Sequence, residues 1–165
     1  MCLGLSTVSA QSDYFFPANT RFDPKIPTPE QYLGYPIGTL HTRHDAIVGY
    51  MRELARLSDR AKLDTIGETY EHRQLVVLTV TSPSNLNNLD QIQADHVRAI
   101  TPPIQEEDLA NQKSIVLLGY NVHGNEPSSS EAALLTAYYY VAGRHAEVTN
   151  ALNDAVLLID PAFNP

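Results

Sequence analysis

The residues best suited to chemistry in this 165-residue sequence lie in the segment NVHGNEPSSSE, at positions 121–131. His123 precedes Glu126 by three positions, and an imidazole and a carboxylate at that spacing can share a metal ion. Catalytic zinc often takes two His and one Glu as ligands and keeps a fourth position for water. The pair alone leaves two interpretations open. It is half of a zinc site, or a turn in which Glu126 lies at a helix N-terminus and His123 is a hydrogen-bonded turn residue.

The segments on either side of the pair predict a strand, a turn and a helix. SIVLLGY, at 114–120, is a nearly continuous apolar run, which is typical of a strand covered on both faces. Gly124 permits a tight turn and a close approach to a metal. The helix has two alternative starts, since Pro127 suits a first turn while Ser128 with Glu131 fits a capping box. Gly143 is predicted to end it.

Further elements alternate between helix and strand. A helix is predicted over 44–58, with its inner face formed by Ile47, Tyr50, Met51, Leu54 and Leu57. Two strands at 63–69 and 74–81 form a hairpin around the turn at 70–73, and AVLLID at 155–160 is a further strand. A second helix is predicted over 85–100, with an inner stripe of Leu86, Leu89, Ile92, His96 and Ile100. Together they predict an α/β fold with a mixed, mostly parallel sheet sandwiched by helices.

The N-terminal region has a different composition. Residues 1–10 end in Val8-Ser9-Ala10, which resembles a signal-peptide cleavage site, although a basic segment is missing; export and an irregular N-terminus both fit. Residues 11–39 carry five prolines between Phe16 and Ile37, a density that is expected to forbid a helix and that predicts either an arm along the domain surface or a disordered linker. The domain proper is predicted over 40–165.

Composition excludes several functions. The net charge is −8 and the pI is about 5.1, without the basic patch of a nucleic-acid binder. No apolar run approaches the roughly 20 residues that span a bilayer. Cys2 is the only cysteine, so neither an intrachain disulfide nor a cysteine zinc site can form. A metal ion would need His and carboxylate ligands.

Four segments resemble the M14 zinc carboxypeptidases. LLGYNVHGNEPSSSEA is similar to the family's first zinc-binding motif, in which an apolar strand ends in His-x-x-Glu and a helix follows. TRHDAIVGYMRELA is similar to its first helix, and LLIDPAFNP to the strand that enters its Asn-Pro-Asp-Gly segment. IGETYEHRQLVVLTVTS resembles its hairpin, but His72 stands where a Gly-x-x-x-Glu-Gly-Arg pattern has the second glycine. The resemblance covers about residues 40–165.

This resemblance implies a Zn²⁺-dependent metallocarboxypeptidase, with His123 and Glu126 as metal ligands, zinc-activated water as nucleophile and a peptide or protein as substrate. The family's third ligand, its general base and its oxyanion-stabilising arginine lie further along the chain than residue 165. The sequence therefore resembles the N-terminal part of a catalytic domain, and these 165 residues are expected to be inactive and only marginally stable alone. Secretion or a periplasmic location is expected if residues 1–10 belong to a signal peptide.

Two other functions remain open. One is a zinc amidohydrolase or deacylase of the same fold, and the other is a non-catalytic α/β binding module. Asn125 is predicted to line the substrate site, with simple loop polarity as the alternative. Structural roles are predicted for the remaining histidines, namely His41, His44, His72, His96 and His145. The serines at 128–130 are interpreted as capping residues rather than nucleophiles. Substrate specificity and oligomeric state are left open.

Overall fold

The computed structural model describes residues 12–103, 106–109 and 112–165, so the predicted signal remnant at 1–10 lies outside the described residues. The strands are β1 (Ala61–Glu68), β2 (Gln74–Val80), β3 (Ser114–Gly119) and β4 (Ala155–Asp160). The helices are α1 (Ser12–Phe15), α2 (Pro29–Leu33), α3 (His44–Leu57), α4 (Pro83–Leu86), α5 (Leu89–Ile100), α6 (Glu106–Leu109), α7 (Pro127–Ala142) and α8 (Ala146–Asp154). No helix in this part of the chain is long and apolar enough to cross a membrane.

The strands form one mixed sheet in the order β1-β2-β4-β3. The β1–β2 and β2–β4 pairs are antiparallel, and β3 lies parallel to β4. The predicted α/β fold and its early hairpin are therefore confirmed. The balance of pairings differs from the prediction: among the described strands the antiparallel pairs outnumber the parallel one. The reason is that β2, the second strand of the hairpin, pairs directly with β4 and runs against it.

The core lies between the sheet and helices α3 and α7. The predicted inner face of α3 is buried except for the half-buried Leu57, and Tyr50, Met51 and Leu54 are fully inaccessible to solvent. Leu78 of β2 and Ile159 of β4 are register partners on the same face of the sheet and contribute to this cluster. Helix α7 is apolar on nearly all sides, which is typical of a helix buried in a core. The candidate site lies in the loop that leads from β3 into the buried helix α7.

The arm at 12–39 is part of the same core. Ile26 and Ile37 are only 3% and 4% exposed, and both belong to the main hydrophobic cluster. The Phe22 ring stacks on Tyr138 of α7 with ring centroids 4.6 Å apart. The Asp23 N–H donates to the Ala142 carbonyl at 2.8 Å, which fastens the arm to the end of α7. Of the two alternatives predicted for this region, the docked arm is the one observed.

The prediction that proline density forbids a helix in the arm was wrong for one short segment. Helix α2 begins with Pro29 in its first turn, where the missing N–H costs nothing. Thr28 and Gln31 form a reciprocal capping box, with the Gln31 N–H donating to Thr28 Oγ1 at 3.2 Å. Gly34 then ends the helix in the left-handed conformation at φ +80°.

Strand β3 is exposed, contrary to the prediction of a strand covered on both faces. It lies at the edge of the sheet, and Ile115, Val116 and Leu117 are 42%, 38% and 61% exposed. Only Leu118 packs against the core among its large side chains. Within the described residues β3 pairs only with β4, so its other edge and most of its apolar surface are uncovered.

The predicted second helix is divided. Helix α4 is capped by Ser82, and α5 begins two residues after α4's C-cap at Asn87. The inner stripe is shallower than predicted, since Ala99 is the buried residue of α5 while Ile100 is 74% exposed. The His96 ring bonds through Nε2 to the Lys113 carbonyl at 2.8 Å, which agrees with the structural role predicted for it.

Candidate metal centre

The loop between β3 and α7 positions the predicted pair. Glu126 is the N-cap residue of α7, and Pro127 occupies the first helical turn. The Glu126 N–H donates to the His123 carbonyl at 3.0 Å and closes a four-residue turn. This turn puts both side chains on the same side of the loop, with His123 Nδ1 3.2 Å from Glu126 Oε2. Their side chains are 70% and 61% exposed, so both donor atoms face solvent.

The pair fits a zinc ion geometrically. With Zn–N and Zn–O bonds of about 2.0–2.2 Å and a tetrahedral angle, two ligand atoms lie roughly 3.4 Å apart. The observed 3.2 Å separation is close to that value. Among the described residues, no group of three or more His, Cys, Asp or Glu side chains is placed to hold a metal. His123 and Glu126 are thus a pair of candidate ligands, without a third His, Cys, Asp or Glu beside them in the described part of the chain.

Distance alone does not identify the site, because an ordinary surface pair has the same geometry. His72 Nδ1 lies 3.0 Å from Glu68 Oε1 in the hairpin, where both side chains are exposed. The difference is position. His123 follows the carboxyl end of a strand in the sheet, and Glu126 caps a long buried helix, which is where open α/β sheets place ligands.

Asn121 is the functional candidate that sequence reasoning did not identify. It is buried, 6% exposed, and has φ +53°, in the left-handed region that asparagine tolerates better than most residues. Its amide is assigned the orientation in which both of its ends find hydrogen-bond partners; the nitrogen then donates to the carbonyls of His123 at 2.9 Å and Glu126 at 3.1 Å. The local signal in the sequence was a polar, turn-forming residue directly after an apolar strand.

Two serines of α7 hold Asn121 rather than cap the helix. Of the two predicted helix starts, the one with Pro127 in the first turn is observed. Glu126 occupies the N-cap position without a side-chain capping bond, and Ser128 and Glu131 form no capping box. Instead the Asn121 backbone N–H donates to Ser129 Oγ at 2.7 Å. Ser130 Oγ donates to the Asn121 amide oxygen at 3.2 Å. The serine run thus connects the loop to the helix.

Gly124 is required by a close approach of the backbone. A Cβ added there would lie 2.5 Å from the Asn164 carbonyl oxygen. The segment after β4 comes this near because the Asn164 N–H donates to the Asn121 carbonyl at 3.1 Å. The observed neighbour of Gly124 is thus a chain segment, and the predicted close approach to a metal stays a prediction.

Beside the loop lies an open cleft of about 720 Å³. It is lined by the start of α3, the hairpin turn, the segment after β4, and Asn121 and Gly124 of the loop, whereas His123 and Glu126 are not among its lining residues. Asp160, at the carboxyl end of β4, is 5% exposed. Burial raises the pKa of its carboxyl above the usual 3.8, although the Ala162 N–H and the nearby His44 act in the opposite direction. Asn125, predicted to line the substrate site, is exposed in the same loop as His123.

Comparison with known proteins identifies the fold. The Peptidase_M14 family model, described as zinc carboxypeptidase, matches residues 47–165. The chain belongs to the M14 zinc carboxypeptidase family. The match covers β3, the His123–Glu126 loop and α7, so the resemblance noted in those segments is confirmed. No curated protein sequence gives a significant match to the chain.

Two solved structures share the fold. Thrombin activatable fibrinolysis inhibitor (TAFI) is 19% identical, with a TM-score of 0.51, over 85% of this chain and 28% of that one. Carboxypeptidase A from Helicoverpa armigera is 17% identical, with a TM-score of 0.52, over 83% of this chain and 30% of that one. The 165 residues thus span less than a third of the length of either solved structure.

Proposed function

We propose that His123 and Glu126 are two zinc ligands of a metallocarboxypeptidase that hydrolyses C-terminal peptide bonds. The observation that carries the proposal is the convergence of His123 Nδ1 and Glu126 Oε2 to 3.2 Å within the part of the chain that matches the zinc carboxypeptidase family. Bound zinc would supply Lewis acidity and an activated water molecule. The substrate class, the metal and the reaction are proposals for the complete protein, because this chain covers only 28% and 30% of the two solved structures.

In this proposal the residues of this chain bind the zinc ion and help to place the substrate beside it. Glu126 lies at the N-terminus of α7, where the helix dipole interacts favourably with a carboxylate. His123 presents Nδ1 to the same point in space. The open cleft, which Asn121 and Gly124 of the same loop line, offers room for a substrate. Asn125 remains a candidate for contact with that substrate.

The ligand assignment is tested by metal analysis of the full-length protein. His123→Ala and Glu126→Ala are each expected to lower the zinc content of the purified protein well below that of the wild type. Each removes one of the three protein ligands that a catalytic zinc site usually has. Mass spectrometry of the metal and a chelator titration give the stoichiometry. Retention of the wild-type zinc content in both variants would refute the assignment.

The hairpin offers a matched control. His72→Ala removes a histidine from an exposed His–Glu pair of nearly the same separation, 3.0 Å. It is expected to leave the zinc content unchanged, since that pair lies on a solvated turn. Loss of zinc in His72→Ala would show that the content reflects general surface binding.

Activity separates the peptidase from the other zinc hydrolases. Zinc-dependent release of C-terminal residues from peptides by the full-length protein supports carboxypeptidase action, whereas zinc binding with hydrolysis only of N-acyl amino acids supports the deacylase. We expect the 165 residues alone to release none, because the described residues provide two ligands and no third. Activity of this segment alone would contradict that expectation.

A further inference from the structure

We propose that Asn121 is a positioning residue of the metal centre, whose side-chain amide holds the backbone of both ligand residues and so presets the separation of their donor atoms. The inference rests on the zinc site proposed above. It assigns Asn121 no contact with metal or substrate. The residue acts through His123 and Glu126.

The amide of Asn121 contacts the two ends of the turn that carries the ligands. Its nitrogen has two N–H groups, and each has one carbonyl acceptor, His123 O at 2.9 Å and Glu126 O at 3.1 Å. The His123 carbonyl also accepts from the Glu126 N–H at 3.0 Å. The first and last residues of the turn are thus joined twice, once directly and once through Asn121.

Asn121 is itself fixed from two directions. Ser129 and Ser130 on α7 bond its backbone N–H and its amide oxygen, at 2.7 and 3.2 Å. The Asn164 N–H, after β4, donates to its carbonyl at 3.1 Å. These bonds attach the loop to the core helix α7 and to the segment that follows the central strand β4. An exposed loop gains a defined ligand geometry from these anchors.

Few residues can replace asparagine here. The left-handed backbone at φ +53° disfavours most side chains, and a donor pair is needed to satisfy two carbonyls at once. Aspartate keeps the size and tolerates this backbone but cannot donate. Glycine tolerates the backbone without strain but has no side chain. The two substitutions therefore remove the contacts while preserving the local conformation.

The test is the zinc affinity of the full-length protein, measured by competition with a chromophoric chelator. Asn121→Asp and Asn121→Gly are each expected to raise the Kd for zinc by roughly ten-fold or more, the range found when groups that orient metal ligands are removed. Ser130→Ala, which releases only the amide oxygen, is expected to raise it by a smaller factor. Asn125→Asp is the matched control, since it makes the same chemical change in the same loop on an exposed residue. It should not weaken zinc binding.

A second readout needs no metal. Hydrogen exchange in the zinc-free protein reports the Glu126 N–H, which closes the turn onto His123. Asn121→Gly is expected to speed its exchange, while exchange in the middle of α7 stays unchanged. A purely structural role would instead speed exchange throughout α7 and leave the zinc affinity of the folded protein as it was.

The outcomes separate this inference from the proposed function. If His123→Ala and Glu126→Ala lose zinc but both Asn121 variants bind it like the wild type, the positioning role is refuted and the ligand assignment stands. If the ligand variants themselves retain zinc, both fall. Weakened binding in the Asn121 variants with unchanged binding in Asn125→Asp supports the inference.

Discussion

The burial of the N-terminal arm and of strand β3 is the reverse of what their compositions suggest. The arm is rich in proline and polar residues, yet Ile26 and Ile37 lie in the core at 3% and 4% exposure. Strand β3 is nearly continuous in apolar residues, yet Leu117 is 61% exposed. The arm has α3 and α7 to pack against, whereas β3 lies at an edge of the described sheet. An apolar side chain is buried only where another element packs against it. Composition therefore shows which residues could be buried, and the arrangement of helices and strands determines which of them are.

The largest effect is expected where the arm meets α7 through a buried carboxylate. Glu131 is 5% exposed, and its two oxygens accept from the Gly38 N–H at 2.6 Å and from the Thr42 hydroxyl at 2.8 Å. Glu131→Ala leaves these donors unpaired in a buried site and is expected to cost about 3–5 kcal/mol in the free energy of unfolding. Urea denaturation monitored by circular dichroism measures it.

The exposed Glu147 on α8 is the control for that substitution. Glu147→Ala is expected to change the free energy of unfolding by no more than about 0.5 kcal/mol. Glu131→Gln keeps the shape and one acceptor, so its cost should lie between the two. Equal stability of Glu131→Ala and Glu147→Ala would show that the arm is not held to α7 as described.

A pair of apolar truncations compares the two regions directly. Ile26→Ala removes buried methyl groups in the arm and is expected to cost about 2–5 kcal/mol. Leu117→Ala removes a similar group from β3 and is expected to change stability by about 0.5 kcal/mol or less in the 165-residue chain. Differential scanning calorimetry of both variants gives the comparison. Similar costs at the two positions would mean that another element covers β3 in solution.

The elements that the sequence predicted well are those with local signals. The inner face of α3 follows from the 3.6-residue periodicity of Ile47, Tyr50 and Leu54, and β4 was predicted at its observed bounds from a run of buried residues. The His123–Glu126 pair was found because its ligand types and spacing fall within one turn. In each case the information lies in a few consecutive residues.

The rest depends on contacts between distant residues or on unusual backbone. Gly38 meets Glu131 across 93 positions, which no local pattern encodes. The edge position of β3 depends on the strand order. The role of Asn121 depends on its left-handed backbone and on the orientation of its amide, neither of which a hydrophobic pattern records. Sequence reasoning therefore identified the ligand candidates but not the residue that holds them.

The buried carboxyl of Asp160, on β4 next to the exposed strand β3, makes stability in this region depend on pH. Asp160 is buried, although its register partner is Gly119 at the end of β3. Because burial raises its pKa above 3.8, the folded state binds more protons than the unfolded state between the two pKa values. The free energy of unfolding should therefore fall as pH rises through that interval, and the cost is complete above the folded pKa.

Asp160→Asn removes this cost and keeps an oxygen for the Ala162 N–H, which now donates to Asp160 Oδ1 at 3.1 Å. The variant is expected to melt at a higher temperature than the wild type at pH 7, and the difference should disappear as pH falls below the usual carboxyl value of 3.8. Asp59→Asn, at an exposed position, is the control and should show no such convergence. A lower melting temperature for Asp160→Asn at neutral pH would show that the charge itself stabilises this end of the sheet.

The smallest effect is expected at His72, where nothing is buried and backbone conformation acts alone. His72 has φ +60° in the hairpin turn, at the position where the family's hairpin pattern has glycine, and its ring makes only an exposed pair with Glu68. His72→Gly relieves the left-handed strain and is expected to stabilise the protein by about 0.5–1 kcal/mol, because the lost surface pair contributes little. His72→Ala loses the same pair but keeps the strain, so it should be slightly less stable than the wild type. Both variants lose the pair with Glu68, so their ranking compares the relief of left-handed strain with the chain entropy of glycine. If thermal melts ranked His72→Gly below His72→Ala, the strain at this turn would contribute less than that entropy.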